Sequence, residues 1–273
     1  MASFSERMGV THPKALQLES LDEELRASLW NVCRPLFFYS SRGVYLRESG
    51  VYSYALAIYS RFYKVPVDDL PKGLSEFTKG QLEIFKDAKW YELLNLIEFL
   101  HDLLASDTDN QTQFVRRINA VLEREKSGYR FVAGIITPIT NGLEIAEIED
   151  AADSRDKFAA AAVHIRTAVG LYSKRPEADY RNSVKEAISA VESAVRIVSG
   201  KNSAVLGDAL KVMDAAKPMH AAFKQALLKL YGYTSDEGGI RHSLLESPNI
   251  DESDARFMLI ACSAFVNYCV SRS

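Results

Sequence analysis

Apolar side chains recur at helical spacing along most of the chain, which predicts a mainly α-helical protein. In the N-terminal half the pattern predicts helices at about 21–32, 51–63, 85–104 and 111–126. The first of them is opened by Ser20 and Glu23, whose spacing is that of a capping box. Residues 69–80 contain Pro71, Gly73 and Gly80 and are predicted to form a loop.

One segment departs from the helical pattern. Residues 129–140, YRFVAGIITPIT, are rich in β-branched and aromatic residues and contain Gly134 and Pro138. This composition predicts a short hairpin or two short strands. Because an isolated hairpin is only marginally stable, we expect it to lean on the neighbouring helices.

The C-terminal part is predicted to be helical throughout. Helices are expected from Asn141, around 158–171, and at about 184–198, 204–215, 219–231 and 252–270. The clearest of them has an apolar stripe that steps by four and three residues and ends before Gly200. This stripe consists of Val184, Ile188, Val191, Val195 and Val198.

The last predicted helix is apolar over most of its circumference. Such a helix lies either in the centre of one subunit or in half of a subunit interface, and we favour a homodimer. Residues 173–179, SKRPEAD, are the best candidate for a linker between two domains, although Pro176 could equally begin a helix, and we place the boundary between about 150 and 176. The first is a mostly helical domain with the short hairpin at 1–153, and the second is an all-α helical bundle at 154–273.

Composition and charge exclude several classes of protein. The chain has 273 residues, 47% of them hydrophobic and 25% charged, which is ordinary for a globular protein and excludes disorder. The net charge of −3 provides no overall basic field, although it is compatible with a local basic cleft. The N-terminus lacks an apolar signal segment, and no stretch is long and apolar enough to cross a membrane, so we expect a cytoplasmic protein.

Cysteine and histidine spacing argues against disulfide and metal chemistry. Cys33, Cys262 and Cys269 contain no CxxC pair and lie in apolar surroundings, so we expect them to pack in the core. No histidine lies three or four residues from another histidine or from a cysteine, and we expect no metal and no cofactor. His101 is predicted to form a structural pair with Asp102, and His164 to pack in the core.

The densest polar segment is 231–242, YGYTSDEGGIRH. Arg241 would supply a fixed cation for a phosphate, and His242 an imidazole that titrates near neutrality, the pair that metal-free RNA cleavage needs. The residues expected to support this loop or to bind its ligand are Tyr233, Asp236, Glu237, Gly238 and Gly239. The alternative is structural, with Arg241 paired to a neighbouring acid and the loop simply locked.

Glu192 is the third candidate catalytic residue. At 100° per residue it lies about 80° from the centre of the apolar stripe, at its edge, whereas Glu186 points to the opposite face. A carboxylate at this edge would orient Arg241 or His242. The alternative is an ion pair with any nearby lysine or arginine.

Several runs of the chain resemble a known family. FSERMG, LDEELRASLWNV and SGYRFVAGIITPITNGLEIAEIE resemble the N-terminal domain of AbiJ-like abortive-infection proteins. DYRNSVKEAISAVESAVRIV, together with GYTSDEGGIRHSLLE, is similar to their C-terminal HEPN-type helical domain. The resemblance implies bacterial anti-phage defence. It also implies an RNA endonuclease that needs no metal and acts as a dimer, with paired active sites at the helical interface.

The match to the HEPN motif is partial. The motif consists of an arginine, a polar residue, and a second histidine separated from the arginine by four to six residues. Arg241 and His242 fill the first two positions, but Glu246, Ser247 and Pro248 stand where the closing histidine would fall. Arg7 and His12 also have the motif spacing. However, His12 precedes Pro13, which disfavours a helix there.

These observations predict a protein that cleaves cellular or phage RNA in response to a phage-derived trigger. In this hypothesis Arg241 stabilises the charge of the phosphorane, His242 assists the attack or the departure of the leaving group, and Glu192 orients one of them. Two alternatives stay open. One is a non-catalytic module of the same fold that binds RNA or a protein partner, and the other is a helical scaffold with neither property.

Overall fold

The computed structural model describes residues 4, 8–10, 14–41, 44–174, 177–235 and 250–273, and for 233–235 it describes the backbone alone. The described residues form eleven α-helices and a two-stranded antiparallel sheet, so the predicted mainly α-helical fold is confirmed. The chain divides into two compact units, Met1–Pro138 and Ile139–Ser273. The sequence placed the boundary between 153 and 154, one helix later.

The first unit contains five helices and the sheet. They are α1 (Glu23–Cys33), α2 (Tyr52–Ala57), α3 (Leu74–Asp87), α4 (Trp90–Asp102), α5 (Thr108–Arg124), β1 (Arg130–Val132) and β2 (Ile135–Thr137). Two π-helical segments, Arg34–Phe38 and Ile58–Tyr63, extend α1 and α2. Asp22, not Ser20, caps α1, because its side chain accepts a hydrogen bond from the backbone N–H of Leu25.

Two predicted elements of this unit are wrong. The predicted loop at 69–80 contains the first half of α3, which begins directly after Gly73 and includes Gly80. The predicted helix at 85–104 is two helices, because the chain breaks at Ala88 and Lys89. The break coincides with a capping interaction in which the Glu92 side chain accepts a hydrogen bond from the backbone N–H of Lys89.

The hairpin forms as predicted and is held by helices of the same unit. Phe131 pairs with Ile136 across the sheet, and its backbone N–H and C=O both bond to the side-chain amide of Asn119 on α5, at 2.8 and 2.9 Å. Glu98 on α4 accepts a hydrogen bond from the backbone N–H of Ile136 at 2.5 Å. Burial raises the pKa of this carboxyl. The expectation that the hairpin leans on helices is therefore confirmed.

Aromatic rings fill the core of the first unit. Phe38 is fully buried at its centre and stacks on Trp30, with ring centroids 5.2 Å apart and planes inclined by 6°. Phe85 and Phe77 also contact its ring, at centroid distances of 5.8 and 6.1 Å. This cluster joins α1, its π-helical extension and α3 in one packed layer.

The second unit consists of helices. They are α6 (Gly142–Ala152), α7 (Ala159–Ser173), α8 (Tyr180–Ser199), α9 (Leu206–Ala216), α10 (Ala221–Ser235) and α11 (Glu252–Ser271). α8 is the central helix and packs against α7, α9 and α11. It ends at Gly200, whose φ of 68° lies in the left-handed region that glycine favours.

The last helix, α11, is largely covered within its own unit. It packs against α6, α7 and α8, and its buried side chains include Met258, Leu259, Phe265 and Val266. Burial within the unit therefore explains most of its apolar side chains without a second copy of the chain, whereas Phe257 and Val270 stay exposed. The homodimer stays a prediction that rests on the resemblance.

α6 belongs to this arrangement. The Glu144 carboxylate accepts a hydrogen bond from Arg256 Nε of α11 at 2.7 Å, and the Asn267 side-chain amide donates to the Glu147 backbone oxygen at 2.9 Å. Ile148 is fully buried in the same layer. The core of the second unit thus begins with α6.

None of the described helices combines the length and the apolar character that crossing a membrane requires. All three cysteines are buried, as predicted, and none forms a disulfide. Burial raises the pKa of the Cys262 and Cys269 thiols to about 12, which makes them poor nucleophiles at neutral pH.

Candidate functional site

Glu192 lies where the helical arithmetic places it, at the border of the buried face of α8. Its neighbour Val191 is buried, as are Ile188 and Val195, whereas the Glu192 side chain retains 15% of its exposure. The carboxylate is thus largely withdrawn from solvent. An ionised group in this position needs hydrogen-bond partners.

Two partners of the Glu192 carboxylate come from the second unit. The Tyr231 hydroxyl on α10 donates a hydrogen bond to Oε1 at 3.1 Å. Nη2 of Arg196, one turn further along α8, lies 3.8 Å from Oε2. The alternative, an ion pair between Glu192 and a nearby arginine, is therefore present, but the charged atoms are far apart for an ion pair and the Arg196 side chain is half exposed. A surface ion pair of this kind contributes little to the free energy of folding.

Tyr231 connects this carboxylate to the segment that carries the motif. It lies in the last turns of α10, which ends at Ser235, and the chain then enters residues 236–249. Tyr233 is in the final turn of that helix, where the backbone alone is described. The other predicted site residues lie outside the described residues: Asp236, Glu237, Gly238, Gly239, Arg241 and His242.

A small apolar pocket of about 40 Å³ adjoins the Tyr231 ring. Its walls come from α8, α9, α10 and α11 of the second unit, and they include Ile188, Leu227, Met258 and Phe265. A pocket of this size, next to a largely buried carboxylate and a phenol, has room for a small apolar group and not for a whole ligand.

Sequence reasoning missed Tyr231 as a site residue. The signal was present in the spacing of α10, since Leu227 precedes Tyr231 by four residues and both line the pocket. The polar residues that follow Tyr231 in the sequence indicated Tyr233 as the site residue instead.

His164 was predicted to pack in the core, and this prediction is wrong. Its side chain is 36% exposed, and its Nδ1 lies 2.7 Å from Oε2 of Glu186 on α8. Glu186 does point away from the stripe, but that side of α8 packs against α7, which carries His164. His101 forms the predicted pair with Asp102, at 3.2 Å, and its ring also packs on Phe131.

Within the described ranges no three histidine, cysteine or acidic side chains come together in a way that would hold a metal ion. The chemistry that the described part of the site offers is therefore that of a carboxylate and a phenol. These groups can orient a neighbouring cation or imidazole.

The comparisons with known proteins concern mainly the first unit. The family model of AbiJ N-terminal domain 4 matches residues 2–154, which is more than half of the chain. The match includes α6, which packs in the second unit. No curated protein and no solved structure matches the chain significantly. The chain belongs to the AbiJ N-terminal domain 4 family of abortive-infection proteins.

Proposed function

We propose that this abortive-infection protein acts through its second unit as a HEPN-type endoribonuclease that needs no metal. Arg241 and His242 are the catalytic residues, and Glu192 is a positioning residue. The segment 236–249, including Asp236, Glu237, Gly238 and Gly239, forms the rest of the site with Tyr233.

One observation carries the proposal. The largely buried Glu192 carboxylate accepts a hydrogen bond from Tyr231, four residues before the end of α10, and Arg241 follows that end by six residues. Six residues span at most about 20 Å, which is long enough for Arg241 to reach the carboxylate. Carboxylates that orient an arginine or a histidine are held in this way by their own hydrogen bonds.

The proposed reaction is the internal transesterification of RNA. His242 takes the proton of a 2′-hydroxyl, whose oxygen then attacks the adjacent phosphorus. The bond from phosphorus to the 5′-oxygen breaks, and that oxygen takes a proton from the protonated imidazole or from water. The products are a 2′,3′-cyclic phosphate and a 5′-hydroxyl. Arg241 stabilises the additional negative charge of the phosphorane.

The test is cleavage of total RNA and of tRNA by the purified protein in EDTA, next to the double variant Arg241→Ala/His242→Ala. We expect the wild type alone to produce fragments with 2′,3′-cyclic phosphate and 5′-hydroxyl ends. Equal cutting by both proteins would show that the activity belongs to another site or to a contaminant. No cutting by either, with the RNA retained by the wild type and lost by the double variant, would favour the non-catalytic binding module.

Glu192→Gln tests the positioning role. The amide keeps the shape and accepts the Tyr231 hydrogen bond, but it removes the negative charge, so the rate of cleavage should fall about tenfold. A carboxylate near an imidazole raises the histidine pKa, and its loss lowers that pKa. The pH profile of cleavage should therefore move to lower pH.

Glu186→Gln is the matched control for that variant. It makes the same change on the same helix, where the carboxylate contacts His164 instead. We expect its rate and its pH profile to equal those of the wild type. A Glu192→Gln protein that behaves like this control would reduce Glu192 to a structural partner of Tyr231 and Arg196.

The missing closing histidine specifically favours a second candidate function, a module that binds RNA or a protein partner without cutting. The positions where that histidine would fall hold Glu246, Ser247 and Pro248. Such a module would bind RNA in a manner that depends on Arg241 and would release no cyclic phosphate ends.

A further inference from the structure

A groove in the first unit lies outside the proposed nuclease and combines cationic and aromatic side chains at one end. Two adjoining pockets of about 480 and 620 Å³ share Trp30 on α1 and Leu82 on α3, so they form one groove between these helices. Tyr39 lies at one end, directly after the π-helical extension of α1.

The walls of the groove are fixed to each other. The Thr78 hydroxyl of α3 donates a hydrogen bond to the Phe38 carbonyl at 2.6 Å, which ties α3 to the π-helical segment. Trp30, at the floor, stacks on Phe38 and is only 7% exposed. A preformed groove loses little conformational entropy on binding.

The Tyr39 end of the groove is cationic. Of the described residues that line this pocket, Arg34 and Lys79 are charged, and no carboxylate joins them. Within the described part of the chain, neither side chain forms an ion pair, and the Arg34 guanidinium lies 4.4 Å from the centroid of the Tyr39 ring. Two cations without a neutralising acid in a concavity attract an anionic ligand.

The same end also offers a surface for a base. Tyr39 is 46% exposed, and the Arg34 guanidinium lies over its ring, so a cation and an aromatic surface are next to each other. Nucleobases stack on aromatic rings and on guanidinium planes, whereas an acidic peptide would bind the two cations without contacting the Tyr39 ring. At the other end, Glu23 and Asp87 balance the charges of Arg26 and Lys86, and the Arg26 guanidinium already donates to the Leu21 and Phe85 carbonyls. We therefore place the phosphate contacts at the Tyr39 end.

We propose that the groove between α1 and α3 binds single-stranded RNA, with phosphates at Arg34 and Lys79 and a base on Tyr39. The inference does not rest on cleavage by the second unit. It gives the first unit a ligand of its own, so that RNA would be held by a surface other than the one that cuts it.

The test uses the full chain carrying Arg241→Ala/His242→Ala, in EDTA, so that cleavage cannot complicate binding. The probe is a fluorescein-labelled uridine oligonucleotide of about 10 nucleotides, and its anisotropy is followed across a range of salt concentrations. In this background Tyr39→Ala should weaken binding about tenfold and leave the salt dependence unchanged, because it removes stacking and no charge. Lys79→Gln should lower the slope of log K against log salt by about 0.7, because it removes one phosphate contact.

Each variant has a matched control in the same unit. Tyr91→Ala removes a ring of similar exposure, 42%, and Arg116→Gln removes an exposed cation on α5. Both should bind like the background protein. The proposal is overturned if the background protein does not bind the probe, or if the groove variants bind no more weakly than these controls. Displacement of the probe by polyaspartate at equal carboxylate concentration would overturn the proposal in favour of an acidic peptide. Displacement by free uridine monophosphate at equal phosphate concentration would overturn it in favour of a mononucleotide.

Discussion

His242→Ala is expected to lower the rate of RNA cleavage in EDTA by about 10²- to 10⁴-fold, the contribution of a positioned general acid–base group. The effect should be large because the chain provides no second histidine at the end of the motif. A protein with two motif histidines could retain a proton donor after the loss of one, whereas in this hypothesis the 5′-oxygen would then take its proton from water. The measurement is the initial rate of appearance of 2′,3′-cyclic phosphate ends at neutral pH.

His12→Ala is the control, since Arg7 and His12 have the spacing of the motif in the other unit. It should cut RNA at the wild-type rate. If His12→Ala abolishes cleavage and His242→Ala does not, the nuclease belongs to the N-terminal unit and the proposed assignment is wrong. Equal binding of RNA by wild type and His242→Ala would show that the lost rate reflects chemistry.

Phe38→Ala should destabilise the first unit by about 3–5 kcal/mol, the usual cost of truncating a buried phenylalanine. The ring contacts Trp30, Phe77 and Phe85, and each aromatic pair contributes about 0.5–1.5 kcal/mol beyond burial of its area. A cavity in this position would touch both α1 and α3, so relaxation around it would be limited. The second unit has a separate core and should keep its stability.

Tryptophan fluorescence during urea unfolding measures this effect selectively. Both tryptophans of the chain, Trp30 and Trp90, belong to the first unit. The neighbouring substitution Tyr39→Ala, at a half-exposed side chain, should change the free energy of unfolding by about 0.5 kcal/mol or less. If Phe38→Ala unfolds at the same urea concentration as Tyr39→Ala, the aromatic layer does not stabilise the unit.

The sequence was sufficient for elements whose periodicity and end signals agree. α8 combines a regular apolar stripe with a terminal glycine, and both features appear in the structure. The hairpin was predicted from its β-branched residues, and its turn at Ala133 and Gly134 has positive φ angles of 53° and 87°. Such a turn suits two closely paired antiparallel strands.

Prediction from the sequence failed where a glycine was interpreted as a break in a helix. Leu74, Phe77 and Phe85 of α3 have helical spacing and are buried, which outweighs the cost of about 1 kcal/mol for Gly80 in the helix. Pro71 and Gly73 precede the helix and do not interrupt it. Tertiary packing decided the conformation of this segment, and packing partners from distant elements are not visible in a local pattern.

For the candidate site, one angle could be predicted and one contact could not. The edge position of Glu192 follows from 100° per residue along a single helix. Its bond to Tyr231 joins residues 39 positions apart on two helices, so it depends on how α8 and α10 pack. His164 shows the same limit, because its partner Glu186 lies on a different helix.

The position of α6 has a consequence for dividing the gene. The family match ends at residue 154, yet α6 shields part of α11 and supplies Glu144 to Arg256. A C-terminal fragment that starts at 155 would uncover the surface against which Ile148 packs and would tend to aggregate when expressed alone. A recombination event or an expression plasmid that separates the two halves intact has to cut ahead of residue 139. The segment matched by the family model and the second unit therefore overlap by one helix, α6. Only a cut at the boundary between the two units yields a C-terminal half in which α11 stays covered by α6.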